Sequence, residues 1–298
     1  MTSSAVAPNH VGIITYTRNN PLLLGRALES VLDQGYSNWT HIIINDGGAP
    51  EPAERLIERY RERYAGRVVL IHHPSPFGFA VAVNQVLVQL KADYIALHDD
   101  CDTWDRAFLG GMIDSLRLQQ QVINNLHGIM CWSTLYNEHF EGFYIYEDSA
   151  HSFNSMVGAV RLQDLAARDF MPAIGFIFER GVIDEIGLLD EQLPGHFFRE
   201  FVLRFLKRFD IAVMTQELAH YRHCMGVPGD IRTTLFPIWD RQVMIEAQFR
   251  NEMLRRDLKA GVQGLGFLMV VSSGAIQTPD VTFFPTRSSV KPKDAPYA

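Results

Sequence analysis

Ala92-Asp93-Tyr94-Ile95-Ala96-Leu97-His98-Asp99-Asp100-Cys101-Asp102-Thr103-Trp104-Asp105 is an apolar run that stops abruptly in acids. Tyr94 to Leu97 predict a short buried strand, because β-branched and aromatic residues sit there without helical spacing and the run is too short for a self-burying helix. Asp99, Asp100 and Asp102 then crowd the strand's C-terminal end, where like charges repel unless something positive holds them. Oxygen donors at that spacing suit a hard divalent cation, Mg²⁺ or Mn²⁺, and equally an acidic loop turned to water. Ligands in open α/β folds bind at the C-terminal edge of the parallel strands.

Upstream, the pattern repeats a strand and a helix. Val11 to Tyr16 predict a strand, and Leu24, Ala27, Leu28, Val31 and Leu32 recur at helical spacing within Leu22 to Gln34. His41 to Asn45 predict a second strand, closed by the turn Asp46-Gly47-Gly48, where glycine allows close backbone approach. Pro52 to Tyr64 form a helix, Val68 to His72 a strand, Pro74 to Phe79 a loop, and Ala80 to Leu90 a helix with Asn84 in its early turns. Three β-α units therefore place Tyr16 to Arg18, Asp46 and Asp99 to Asp102 at one sheet edge, across which a nucleotide could lie.

Downstream, Phe108 to Gln121 predict a helix and Gly128 to Phe153 hairpins or a long insertion. Leu162 to Ala167 form a helix, Ala173 to Phe178 a strand, Arg180 to Ile186 and Phe197 to Arg208 helices, and Ile211 to Met214 a short last strand. Ile231 to Lys259 are helical and charged, and their mixed charges over Trp239 to Leu258 favour a bundle or homodimer contact over peripheral membrane association. Gly264 to Val271 read as a buried strand or an interfacial anchor, and the proline-rich end from Thr278 as a mobile tail.

The chain has 298 residues, 27 basic against 34 acidic side chains and a formal charge of -7, a balance that argues against a nucleic-acid partner. Cys101, Cys131 and Cys224 fit neither a disulfide framework nor a CxxC zinc site, so a reducing, cytoplasmic location is expected. Neither a secretory signal nor an apolar segment of membrane-spanning length is visible.

Taken in order, Ile14-Thr15-Tyr16-Thr17-Arg18, Arg26 to Tyr36, Ile43 to Gly48, the opening acids, Phe178-Glu179-Arg180, Ile186 to Glu191, Leu203-Arg204-Phe205 and Leu218-Ala219-His220-Tyr221-Arg222-His223 resemble the large inverting glycosyltransferase family 2, which includes bacterial rhamnosyl-, glucosyl- and galactosyltransferases. The resemblance implies an α/β, glycosyltransferase A-type fold with a mostly parallel sheet flanked by helices and C-terminal helices beyond it. It implies a flexible start at 1–10, a transferase domain at 11–225 divided into a nucleotide half (11–105) and an acceptor half (106–225), a helical extension at 226–277 and a tail at 278–298. The implied activity is metal-dependent, inverting transfer of a sugar from a nucleotide-sugar, UDP or dTDP before GDP, to a carbohydrate or lipid-linked acceptor. The membrane's inner face is the implied place for a lipid-linked acceptor.

By the same resemblance Thr15, Tyr16, Arg18, Asp46, Asn84, Asp99 and Asp100 would bind the nucleotide. Asp100, Asp102 and His223 would hold Mn²⁺ or Mg²⁺, while Arg222 could contact phosphate. Trp104, Phe197, Phe198 and Arg199 would line the acceptor site. Three departures stand out. Where relatives carry acid, tryptophan and acid before Leu203-Arg204-Phe205, this chain has Phe198, Arg199 and Glu200, leaving Glu200 as the expected base and His196 as the next candidate. Val83 replaces a basic residue, and Cys101 reads as a filler between acids. These departures keep a second function open, a degenerate relative that binds nucleotide or sugar as a partner subunit.

Overall fold

The computed structural model describes residues 8–141, 144–193, 195–225 and 238–273. Expectations for 1–7, 226–237 and 274–298 lie outside the described residues. The first half alternates strand and helix: β1 (Val11–Thr17), α1 (Pro21–Leu32), β2 (Trp39–Asp46), α2 (Pro50–Arg59), α3 (Arg61–Tyr64), β3 (Val68–His73), α4 (Phe79–Gln89) and β4 (Tyr94–Asp99). Strands β3, β2, β1 and β4 lie side by side and parallel. Their apolar residues point both ways, as a sheet covered on two faces requires. Ile14, Ile42, Ile44, Ile95 and Leu97 meet α4, whereas Val11, Ile13, Ile43 and Ala96 meet α1 on the other side.

The second half continues the same sheet with mixed directions. After β5 (Thr103–Trp104) and α5 (Phe108–Gln120) come the hairpin β6 (Leu126–Glu141) and β7 (Tyr144–Ser152), α6 (Leu162–Ala167), and a 3₁₀ turn at Ala173–Gly175 leading into β8 (Phe176–Glu179). Then follow α7 (Val182–Ile186), α8 (Phe197–Leu206), β9 (Asp210–Met225), α9 (Ile238–Ala260) and α10 (Leu265–Ser273). The order across the sheet is β3-β2-β1-β4-β8-β6-β9-β5, with β7 added to β6.

Three expectations change. The last strand runs to Met225 instead of stopping at Met214, bulging against β6 where the exposed Thr215 to Glu217 interrupt its apolar pattern. Ala173 to Gly175 form a 3₁₀ turn, so the strand starts only at Phe176. The apolar run near Gly264 is the helix α10, packed on α6 and α9. It approaches α9 so closely that a Cβ on Gly266 would lie 2.5 Å from the Leu254 backbone. A short apolar run does not reveal its period, and tertiary packing chose helix over strand.

Candidate functional site

Strands β1, β2 and β4 end together, so Tyr16 and Thr17, Asp46, and the loop from Asp99 to Asp102 share the C-terminal edge foreseen from the sequence. Asp46 is fully buried there, and five short contacts converge on its carboxylate. Oδ1 accepts from His73 Nδ1 (2.7 Å) and the Phe77 N–H (3.0 Å), and Oδ2 from the Tyr16 hydroxyl (3.0 Å) and the N–H groups of Phe77 (3.1 Å) and Gly78 (2.8 Å). Burial works against ionisation, yet those donors together hold Asp46 below the ordinary carboxylate range. Gly47 makes the geometry available: its φ is +75°, and a Cβ would meet Pro76 N at 2.5 Å. The loop 74–78 can thus fold down onto Asp46.

Tyr16 continues into an aromatic series. Its ring lies 5.3 Å from Phe79, which stacks at 4.9 Å on Phe197 of α8. Of the aromatic residues expected to line an acceptor site, Phe197 is therefore brought to this sheet edge. Arg18 is exposed beside Tyr16, its positive charge acting on the phenol. Thr15 turns away instead, its Oγ1 2.7 Å from His41 Nε2 inside the core. Asn84 is also buried, its amide fastened to Leu189 and Glu191 at 2.8–3.0 Å, so it anchors the loop after α7.

Within the acid loop the Thr17 hydroxyl donates to Asp100 Oδ2 at 2.6 Å, and the Asp100 N–H to Asp99 Oδ1 at 2.8 Å. Burial, and then the charge of Asp99, push the Asp100 carboxyl well above its usual range, against hydrogen bonds from Thr17 and Asn20. Donor atoms of Asp99, Asp100 and Cys101 all lie within 4.8 Å of one another. Two carboxylates and a thiol at that spacing fit one divalent cation, whose charge would offset the crowding of acids.

Asp102 and His223, the other expected ligands, lie outside this set of donor atoms. Asp102 Oδ1 accepts the Arg222 N–H of β9 at 2.8 Å. Burial and then Asp99 push its carboxyl up, against the pull of Arg222 and Arg26. The His223 ring meets Tyr221 edge-on at 4.8 Å, and burial followed by the nearby His151 lowers its pKa.

The sequence offered no signal for Glu138. It lies on the hairpin strand β6, buried, and both its oxygens accept from Arg26 of α1 at 2.9 Å while Arg222 pairs with Oε1. Arg222, expected near phosphate, is thus committed to an internal ion triad and lies 4.2 Å over the Tyr136 ring.

Of the other residues expected to line an acceptor site, Trp104 is buried, stacked on Phe108 at 4.5 Å, with its indole N–H given to Ile174 O at 2.7 Å. Phe198 packs edge-on to Phe176 in the core. Arg199 is only 1% exposed and bridges the Leu165 and Ala166 carbonyls to Glu246 of α9. Glu200 is 4% exposed, and both its oxygens pair with Arg204 at 2.6 and 2.8 Å. His196, at the start of α8 with φ 53°, stands between Asp169 (3.4 Å) and Glu246 (3.2 Å). Asp169 was not singled out in the sequence. Burial raises the pKa of the Tyr221 hydroxyl, and the charges of Asp102 and Asp169 add to that rise.

The chain is 30% identical over 92 residues to the putative glycosyltransferase EpsE of Bacillus subtilis, 31% of this chain and 33% of that protein. It is 33% identical over 94 residues to the putative colanic acid biosynthesis glycosyl transferase WcaA of Escherichia coli, 32% of this chain and 33% of that one. These matches span about a third of the length of the curated relatives. Among solved structures, Staphylococcus aureus TarS 1-349 in complex with UDP-GlcNAc aligns with a TM-score of 0.52 at 13% identity, covering 81% of this chain and 67% of that one. The mannosyltransferase PcManGT from Pyrobaculum calidifontis, in complex with GDP-Man and Mn²⁺, aligns with a TM-score of 0.57 at 14% identity, covering 91% and 76%. The fold is of the glycosyltransferase A type, and residues 11–137 match the family Glycosyl transferase family 2.

Proposed function

We propose that the protein transfers a sugar from a nucleotide-sugar to a carbohydrate or lipid-linked acceptor in polysaccharide or glycoconjugate synthesis, with inversion at the anomeric carbon. The observation that carries this is the meeting of Tyr16, Arg18, Asp46 and the Asp99–Cys101 donor set at one edge of the parallel strands. The base lies over Tyr16 and the loop that Asp46 holds down, and Asp46 reaches the base edge by exchanging one of its loop contacts. Uracil or thymine is proposed ahead of guanine, because one imide N–H asks for one carboxylate oxygen whereas guanine presents two donors. Arg18, exposed beside this edge, is the residue proposed to meet the diphosphate. Bound Mn²⁺ or Mg²⁺ at Asp99 and Asp100, with Asp102 and His223 as the further expected ligands, would neutralise charge on the departing diphosphate.

Phe197 supplies an aromatic face for a sugar ring, with Phe198 and Arg199 buried behind it on α8, while Trp104 packs in the other core layer with Phe108. For acceptor deprotonation we place His196 with Asp169 ahead of Glu200, because Arg204 pairs with both Glu200 oxygens at 2.6 and 2.8 Å, whereas His196 frees Nε2 for the acceptor by giving up the longer contact to Glu246 at 3.2 Å. The expected outcome is that His196→Ala lowers kcat by roughly 10²-fold or more, the scale of general-base loss. Glu200→Gln should instead lower Tm with a smaller effect on kcat. The reverse pattern in steady-state kinetics would return the base to Glu200.

A second function, nucleotide or sugar binding without transfer, draws on that same neutralised Glu200. Thermal-shift and donor-hydrolysis screening of UDP-, dTDP- and GDP-sugars with and without Mn²⁺ separates the two. Transfer predicts metal-dependent stabilisation by one nucleotide class with slow hydrolysis, whereas stabilisation without turnover on any acceptor supports the binding function. Among the described residues no helix is long and apolar enough to cross a membrane. Peripheral membrane contact and homodimerisation through the C-terminal helices remain proposals, testable by vesicle flotation and light scattering.

A further inference from the structure

We propose that the Cys101 thiol is itself a ligand of the divalent cation and gives the site a preference for softer ions, Zn²⁺, Cd²⁺ or Co²⁺, over Mg²⁺. The proposal rests on the reading above only in placing an ion at this loop. Its basis is the donor set: of the atoms that approach within 4.8 Å of one another, two are carboxylate oxygens and the third is Cys101 Sγ. Donors bound to one ion at about 2.0–2.4 Å lie roughly 3–4 Å apart at angles of about 90–120°, so a contraction of about 1 Å closes the set. Thiolate selects softer metals, whereas carboxylate oxygen does not discriminate against Mg²⁺.

The surroundings hold this thiol in place. Arg26 donates to the Cys101 carbonyl at 2.9 Å, fixing the backbone from α1. Sγ lies 3.5 Å from the Arg222 carbonyl and 3.8 Å from Asp102 Oδ1. The Cys224 thiol stands near it on β9 and donates to Glu138 Oε2 at 3.4 Å. Both thiols are free and partly exposed. A second soft donor therefore backs Cys101 from β9, independently of the acids, as an outer partner that orients it. On coordination a sulfur–metal bond forms, the S–H proton passes to solvent, and no electrons are transferred.

The test is a Co²⁺ and Cd²⁺ titration of the full chain under reducing conditions, followed by near-ultraviolet absorption. Wild-type protein should develop a thiolate-to-metal charge-transfer band and bind Cd²⁺ at least roughly tenfold more tightly than Mg²⁺. Cys101→Ser should abolish the band and weaken Cd²⁺ by about tenfold or more, with Mg²⁺ affinity changed little. Cys224→Ser should keep the band. Cadmium NMR of the wild type gives the same answer without a mutation, since a sulfur ligand moves the resonance downfield. A band that survives in Cys101→Ser, or its absence in wild-type protein that binds Mn²⁺, overturns the assignment. Donor hydrolysis on the same samples is scored separately: a band without turnover sinks the transferase reading and leaves the ligand standing.

Discussion

Asp46 and Asp100 are buried carboxylates displaced in opposite directions. Asp46 has N–H and O–H donors on both oxygens and stays ionised, whereas Asp100 shares its loop with Asp99 and is pushed towards its neutral form. Burial raises both; at Asp46 the aimed donors overcome it, whereas at Asp100 the charge of Asp99 adds to it. His98, one residue before the acids, is buried with Nε2 unpartnered, and burial drives its pKa down to about 3. The unfolded imidazole titrates near 6.5, so between about 6.5 and 3 the unfolded chain binds more protons. Stability is therefore full above pH about 6.5 and falls as pH is lowered, with a limiting slope of about 1.4 kcal/mol per pH unit for this one group. Urea denaturation from pH 7 to 4 should show that loss, and His98→Leu should flatten it. An unchanged slope in the variant would assign the acid sensitivity to other groups.

At the scale of elements, α8 and α9 explain the departure at Arg199. The guanidinium crosses from α8 to Glu246 of α9, capping the Leu165 and Ala166 carbonyls on the way, and Arg250 reaches Glu246 and the Ala167 carbonyl from α9. An arginine stands there because the C-terminal helices need a buried cation to dock on, with its fork matching carboxylate and carbonyl acceptors. Arg199→Ala should cost roughly 3 kcal/mol, since it leaves two carbonyls and a partly buried carboxylate short of donors. It should also make α9 the first site of limited proteolysis. Cleavage as slow as in wild type would show that the apolar contacts of Phe249 and Met253, with the Arg250 and Arg256 bonds, hold α9 without Arg199.

Across the whole molecule, the two halves are joined by one continuous sheet and by the Arg26–Glu138–Arg222 triad. Glu138 brings the hairpin to α1 and lies under the acid loop, so α1, β6 and β9 are held in one register. Glu138→Ala should destabilise by roughly 2–3 kcal/mol, a buried-pair loss reduced because Arg26 is partly exposed. Chemical denaturation measures it, and a loss below about 0.5 kcal/mol would mean that solvent screens both arginines. The same variant should weaken Mn²⁺ binding, because Arg26 also fixes the Cys101 carbonyl.

The sequence by itself determined the β-α alternation of the first half, the burial of the strand from Tyr94 to Leu97 and the gathering of Tyr16, Asp46 and Asp99 at one edge. Those features follow from local periodicity and from strand direction, which adjacent residues encode. Tertiary structure alone decided what the side chains there face. It turned Thr15 and Asn84 inward, paired Glu200 with Arg204, set Asp169 beside His196, and brought Glu138 to Arg26 across 112 residues of chain. It also put the Cys101 thiol, a mere spacer by its place among acids, into a set of donor atoms with Asp99 and Asp100. Ion pairing and ligand geometry depend on which distant residues share a buried space, and no local pattern carries that information.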